Sequence, residues 1–194
     1  MSALVVLVVF SGLSLNPLLQ FGLGIRNFET EGQKPVRYAL FQWIVLFVTV
    51  LLLWLFFTYI LSPLSLGFLE YLLIFPLTVA AGQGFEMAAR RVIPPPADQP
   101  KMPVISAYDG LAIAALFLTL RLASSFAGAV VLSLGFSLGS FLSARILNAI
   151  YKRSSTEKIP PVLRGMPLLL ISMGLLSLIC SSVAAILLRA LGVF

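Results

Sequence analysis

The ionisable residues with the most chemical interest in this chain lie within or beside long apolar segments. Asp109 follows a proline and several polar residues inside one such segment, and Arg26 ends another that Pro17 and two glycines interrupt. A carboxylate near a bilayer centre costs about 2.5–3.5 kcal/mol on insertion scales, so it usually has a partner, a proton or a functional use. We predict that Arg26 is the partner of Asp109.

Each of these charged residues also has a simpler interpretation. Arg26 is the first basic residue after an apolar segment, and Asp109 lies at the membrane interface if its helix begins later in the chain. Glu86 stands four residues before Arg90, so an ion pair on one helix face explains it, and a place in an ion or proton path is the alternative.

Composition places the chain in the lipid bilayer. Of its 194 residues, 60% are hydrophobic and 10% are charged, whereas about a quarter of the residues of a soluble domain are charged. The net charge of +6 comes from basic residues between apolar segments, as membrane orientation requires, so nucleic-acid binding is not expected. One cysteine and no histidine offer neither a disulfide framework nor a Cys/His metal cage.

The charge-free runs predict six membrane-spanning helices, because about 20 apolar residues cross the hydrocarbon core. We number these spans 1 to 6, and they cover residues 2–25, 38–61, 67–89, 102–120, 125–148 and 165–188. A proline-rich cytoplasmic linker at 94–101 divides a first three-helix repeat, 1–93, from a second, 102–194. The predicted fold is an all-α integral membrane protein.

Lysine and arginine predict the orientation of these spans. All but two of the 13 basic residues follow spans 1, 3 or 5, and only Arg121 and Arg189 fall on the other side. Both termini are therefore expected on the non-cytoplasmic side. Because each half has three helices, the second half enters the membrane from the opposite side, which makes the halves inverted repeats. Such repeats place a site near the midplane, built by discontinuous helices at corresponding positions.

Spans 1 and 4 carry matched interruptions. The interrupting residues are Asn16, Pro17, Gly22 and Gly24 in span 1, and Pro103 and Gly110 in span 4. Proline removes a backbone donor and glycine weakens a helix. A membrane helix tolerates such a break only where protein or a water-filled cavity satisfies the freed backbone groups. The two breaks are therefore candidate halves of one midplane site.

Span 5 carries a Gly-xxx-Gly spacing. Gly135 and Gly139 form this spacing, and Ser140 and Ser143 continue the face of small residues. Such faces let helices approach closely, either within one chain or between chains.

Three patterns resemble those of the Rnf/Nqr membrane subunits, which are paired six-helix proteins of the Rnf electron-transport complex and of the sodium-translocating NADH:quinone reductase. The patterns are Asn16-Pro17-Leu18-Leu19 with Gly24-Ile25, Gln83 to Met87 with Arg90-Arg91, and Pro161-Val162-Leu163-Arg164-Gly165. The predicted termini resemble those of the Rnf A and Nqr E subunits, whose D-type partners are inserted the other way. The resemblance implies a multi-pass protein of the bacterial or archaeal cytoplasmic (inner) membrane, paired with a homologous six-helix subunit and other subunits of the complex.

The family implies an electron path through an iron–sulfur cluster that cysteines on broken helices 1 and 4 of both partners hold. Arg26 and Asp109 stand where those cysteines would be, so the resemblance implies that this chain has lost the ligands. No cofactor is then expected on this chain alone, while a [2Fe–2S] cluster or flavin is expected in partner subunits.

Three functions follow as alternatives. The first is a structural or ion-path subunit of an ion-translocating oxidoreductase, not catalytic alone, with the Arg26–Asp109 pair in the former cluster site. In the second, the partner keeps a reorganised cluster that this chain shields. The third is a free-standing inverted-repeat transporter of an ion or small solute, in which the same pair forms the gate or coupling site.

Overall fold

The structure is a computed structural model that describes residues 2–23, 36–62, 67–92, 110–156, 160 and 165–190. These residues form helices and loops without a strand. The helices are α1 (Ser2–Val9), α2 (Pro17–Phe21), α3 (Val36–Phe56), α4 (Gly67–Val92), α5 (Leu111–Leu122), α6 (Phe126–Thr156) and α7 (Met166–Ala190). Two π-helical turns, Phe10–Ser14 and Phe57–Leu61, follow α1 and α3.

Each predicted span has an apolar helical counterpart, but the lengths differ. Within the described ranges, three segments are long and apolar enough to cross a membrane, namely Trp43–Leu61, Phe126–Arg153 and Met166–Ala190. Three others are shorter, namely Val5–Phe21, Tyr71–Phe85 and Leu111–Leu122. This confirms that the described residues have the all-helical structure predicted and are compatible with a membrane protein. The six-span inverted repeat stays a prediction.

The helix of predicted span 4 differs most from its predicted extent. It begins at Leu111, and the preceding Gly110 has a φ of 70°, a left-handed conformation that helical residues do not adopt. The 12 residues of α5 extend about 18 Å at 1.5 Å per residue, against a hydrocarbon core of about 30 Å. Residues 102–109 and the linker at 94–101 lie outside the described residues.

The central helix of the bundle is α6. It packs against α1, the first π-helical turn, α2, α3, α5 and α7, while α3 also packs against α4 and α5. The first segment, which we define as α1, the first π-helical turn and α2, lies against α6 and α7.

Buried apolar side chains form two clusters with a polar layer between them. The Leu18 cluster comprises Leu18, Leu19, Trp43, Leu46, Ala112, Ala144, Leu147, Leu169, Met173 and Leu176. The Leu116 cluster comprises Val50, Leu53, Trp54, Phe57, Leu61, Ile74, Ala115, Leu116, Ala129, Leu132 and Phe136. On α6 the buried Ser137 and Ser140 fall between the two sets, and on α3 the buried Thr49 does so.

Gly135 and Gly139 let α6 touch the backbone of the first π-helical turn. A Cβ atom at Gly139 would overlap the Gly12 carbonyl oxygen and lie 2.7 Å from the Gly12 Cα. A Cβ atom at Gly135 would overlap the Ser11 Oγ and lie 3.3 Å from the carbonyl oxygen of Val8. The close approach predicted from the Gly-xxx-Gly spacing thus occurs within one chain.

Replacing Gly139 with alanine should destabilise the protein by about 1–3 kcal/mol, because the new methyl group forces α6 away from a backbone that cannot yield locally. Thermal unfolding in detergent micelles measures the change. The matched control is Gly174→Ala, since a Cβ atom there would meet nothing within 4 Å. Equal unfolding temperatures for the two variants would contradict the packing described for α6.

Candidate functional site

The first apolar segment is interrupted between Ser14 and Pro17. In the π-helical turn the Leu15 N–H donates to the Phe10 carbonyl at 2.8 Å. Asn16 then has an extended backbone, with φ −64° and ψ 113°, and Pro17 is the first residue of α2. Proline suits that position, because its fixed φ is helical and a first-turn N–H would have no helical acceptor anyway.

The Asn16 side chain is fully buried and uses its whole hydrogen-bonding capacity. Its Oδ1 accepts from the Leu18 N–H at 3.1 Å and from the Ser140 Oγ at 3.1 Å. Its Nδ2 donates to the Ser143 Oγ at 2.9 Å and to the Gly12 carbonyl at 3.3 Å. A carboxamide has two donors and an oxygen with two acceptor directions. Asn16 therefore has no hydrogen-bonding group left for a ligand.

Side chains also take over backbone carbonyls that the break releases. In an unbroken α-helix the Gly12 carbonyl would accept from the N–H of Asn16, and here it accepts from the side-chain amide instead. The Ser14 carbonyl would accept from the N–H of Leu18, and here it accepts from the Gln20 Nε2 at 2.9 Å. Protein groups thus satisfy two freed carbonyls, one of the two conditions under which a membrane helix tolerates a break.

A row of serines on α6 connects this break to a second helix. Ser140 and Ser143 bond Asn16, and Ser137 donates to the Trp43 carbonyl of α3 at 2.7 Å. The sequence marked Ser140 and Ser143 only as small packing residues. Their hydrogen bonds were missed, although a polar asparagine inside an apolar span signals that neighbouring helices must supply partners.

The two interrupted spans meet where the first ends and the second begins. Gly22 ends α2 with a left-handed φ of 64°, and Gly110 precedes α5 with φ 70°. A Cβ atom at Gly110 would lie 3.1 Å from the Leu23 Cδ2. The contact between Leu23 and Gly110 therefore brings the end of the first segment against the start of α5.

Most of the remaining candidate residues are not described by the structure. Gly24, Arg26, Pro103 and Asp109 fall outside the described residues. Glu86 is on α4, and its side chain is not among those described. The predicted Arg26–Asp109 ion pair and the predicted ion path through Glu86 stay predictions.

Three buried polar atoms on α3 and α6 have no hydrogen-bond partner among the described residues. They are the Thr49 Oγ1, the Ser133 Oγ and the Asn148 Oδ1. Buried polar atoms are usually paired with protein groups or water. The bundle interior thus contains buried polar groups that take no part in the hydrogen bonds around Asn16.

Metal-binding chemistry is not visible in the described ranges, which contain no group of three histidine, cysteine or carboxylate side chains placed to hold an ion. A cavity of about 220 Å³ lies near the Leu116 cluster, away from Asn16. It is lined by Trp54, Phe57, Thr58, Ser62, Leu120 and Ala123. The lining residues belong to the ends of α3 and α5 and the turns that follow them.

No protein-family model matches this chain, and no curated protein is significantly similar to it in sequence. The resemblance to the Rnf/Nqr subunits therefore rests on the three sequence patterns and stays a prediction.

Replacing Asn16 with alanine should lower stability by about 2–4 kcal/mol. The change removes the cap of α2, worth about 1 kcal/mol, and leaves the partly buried Gly12 carbonyl unpaired, at about 1–3 kcal/mol. Chemical or thermal unfolding in detergent measures the loss.

Gln20→Ala is the matched control for this substitution, because Gln20 also bonds a freed carbonyl but is exposed. We expect a loss of only about 1 kcal/mol, since a single hydrogen bond within the first segment is removed. If Asn16→Ala were as stable as Gln20→Ala, the four hydrogen bonds of Asn16 would not hold the break together.

Proposed function

We propose that this chain is a divergent membrane subunit of an Rnf/Nqr-like electron-transport, ion-translocating complex. It has lost its own iron–sulfur ligands and serves as a structural or ion-path subunit. It pairs with a homologous six-helix subunit in a bacterial or archaeal cytoplasmic membrane, with both termini on the non-cytoplasmic side. The observation that carries the proposal is the contact of Leu23 with Gly110, because it joins the two interrupted spans.

The pattern of helix contacts supports the inverted repeat within this proposal. A twofold relation between the halves makes the first segment correspond to α5, α3 to α6, and α4 to α7. The first segment packs against α6 and α7, and its counterpart α5 packs against α3 and α4. The α3–α4 contact corresponds to the α6–α7 contact, and the α3–α6 contact corresponds to itself. The contacts of the first segment are more extensive than those of α5, and the contact of α5 with α6, which a tight turn joins, has no counterpart among the main helix contacts of the described residues.

The contact of Leu23 with Gly110 also supports an ion pair at the former cluster positions. Arg26 lies three residues after Leu23, and Asp109 immediately precedes Gly110. Three residues reach at most about 11 Å when extended, so the contact is compatible with the proposed ion pair. One cation and one anion in place of two cysteines balance each other's charge in a medium where an unpaired charge is costly. Electron transfer is assigned to cofactors of the partner subunits, such as a [2Fe–2S] cluster or flavin.

The Asn16 side chain has no free hydrogen-bonding group, and this favours a subunit over a free-standing transporter. In inverted-repeat transporters, broken helices present free backbone and polar groups to the substrate at the midplane. Here the Asn16 amide and the carbonyls of Gly12 and Ser14 bond other protein groups. The break therefore serves helix packing, which a scaffold subunit needs and a substrate site does not.

Purification in mild detergent tests the proposal. We expect a stable multi-subunit complex with visible absorption and electron paramagnetic resonance signals of flavin or iron–sulfur centres in its other subunits. A colourless homo-oligomer that transports a solute after reconstitution would contradict the subunit assignment and support the transporter.

Replacing Asp109 with asparagine should lower stability by about 3–5 kcal/mol, because it leaves the Arg26 charge buried without its partner. Unfolding and complex assembly, followed by size-exclusion chromatography in detergent, measure the loss. The double variant Arg26→Asp with Asp109→Arg should recover most of it.

Glu86→Gln provides the control for charge removal, since an i,i+4 pair at a helix end contributes only about 0.2–0.5 kcal/mol. Unchanged stability and assembly of Asp109→Asn would disprove the ion pair. A loss that the charge-swapped double variant does not recover would do the same.

A further inference from the structure

Arg121 lies over two aromatic rings at the end of α5. Its guanidinium carbon is 5.1 Å from the centre of the Tyr71 ring on α4 and 5.7 Å from the Phe117 ring one turn earlier on α5. The two rings are 6.4 Å apart with an interplanar angle of 50°. All three side chains are exposed. We call Arg121, Tyr71 and Phe117 the arginine seat.

The ring contacts hold the cation without using an oxygen acceptor. Aromatic faces attract a guanidinium through their quadrupole, whereas its five N–H groups form hydrogen bonds in a planar fork that matches a phosphate or a carboxylate. The rings therefore position Arg121 while its donors suit an oxyanion ligand.

The surroundings of the arginine seat are apolar and exposed. Leu72 and Phe75 of α4 are 65% and 56% exposed, and Leu122 of α5 is 42% exposed. A guanidinium and a tyrosine at the end of such a surface match the interfacial belt of a membrane protein, where aromatic rings lie at headgroup level. Acyl chains would cover the leucine and phenylalanine side chains below it.

The position of Arg121 is not explained by the rule that orients the other basic residues. Of the 13 lysines and arginines, only Arg121 and Arg189 fall on the predicted non-cytoplasmic side. Positive charge at that surface therefore needs a local cause, and an anionic headgroup complements it in charge and in hydrogen bonding.

We propose that the arginine seat binds the phosphate of an anionic phospholipid in the non-cytoplasmic leaflet. The guanidinium binds two phosphate oxygens, and the Tyr71 and Phe117 rings fix its position beside the lipid glycerol. The inference depends on the membrane location of the chain and on its predicted orientation, and not on its role in an electron-transport complex.

Native mass spectrometry of the detergent-solubilised protein, titrated with phosphatidylglycerol or phosphatidylcholine, tests this site. We expect tighter binding of phosphatidylglycerol and a roughly tenfold loss of that binding in Arg121→Gln, as removal of a charge-assisted bidentate contact implies. Arg121→Lys keeps the charge but loses the fork, so its binding should be intermediate. The matched control Arg189→Gln removes the other basic residue of this side and should bind normally.

Other outcomes overturn the proposal. Equal losses in Arg121→Gln and Arg189→Gln would indicate diffuse attraction rather than a seat. Full competition by millimolar inorganic phosphate would identify a site for free phosphate instead of lipid. Equal binding of the two lipids by the unaltered protein would exclude a charge-selective site.

A second variant keeps the test valid if Arg121→Gln does not fold. Tyr71→Leu preserves the charge and the apolar surface but removes one ring of the seat, and should weaken phosphatidylglycerol binding severalfold. Normal binding by this variant would show that the aromatic positioning has no role, and normal binding by Arg121→Lys would show that the guanidinium fork has none.

Discussion

The structure depends on the four hydrogen bonds of one buried amide. A helix can break inside an apolar bundle only if the polar groups at the break are paired, and Asn16 pairs with its own segment on one side and with α6 on the other. The bonds to Ser140 and Ser143 form only if α6 packs closely against the first segment. Gly135 and Gly139 permit this close packing, because they leave room for the backbone and side chains of the first π-helical turn. The polar contact and the close packing are therefore parts of one arrangement.

This arrangement sets the position of the remaining helices. With the first segment fixed on α6, the Leu18 and Leu116 clusters form on opposite sides of a layer of buried hydroxyls. The short α2 then runs toward the start of α5, where Leu23 meets Gly110. Both places have a glycine in the left-handed conformation, which glycine adopts without the steric cost that a Cβ atom brings.

The proposed function gives the break a reason to persist without metal ligands. In the family that the sequence resembles, broken helices bring cluster ligands to the midplane. In this chain the break at Asn16 also binds α6. A continuous first helix would leave Ser140 and Ser143 without their hydrogen-bond partner in the bundle interior. Loss of the cysteines would remove the electron path of this subunit, but the first segment would still need its break to pack against α6. This is expected of a subunit that has become a scaffold.

The sequence by itself determined the helical class, six apolar segments compatible with a membrane protein, and the break at Asn16 and Pro17. Those features follow from hydropathy and from proline chemistry, which act over a few neighbouring residues. It did not determine that α5 begins as late as Leu111, because the left-handed conformation of Gly110 depends on its surroundings. Only the tertiary structure decided that the glycine face of α6 is used within the chain, that Ser143 pairs with a residue 127 positions away, and that Leu23 meets Gly110. These contacts join residues far apart in sequence. Which residues meet depends on how closely whole helices can approach, and a local sequence pattern does not specify that.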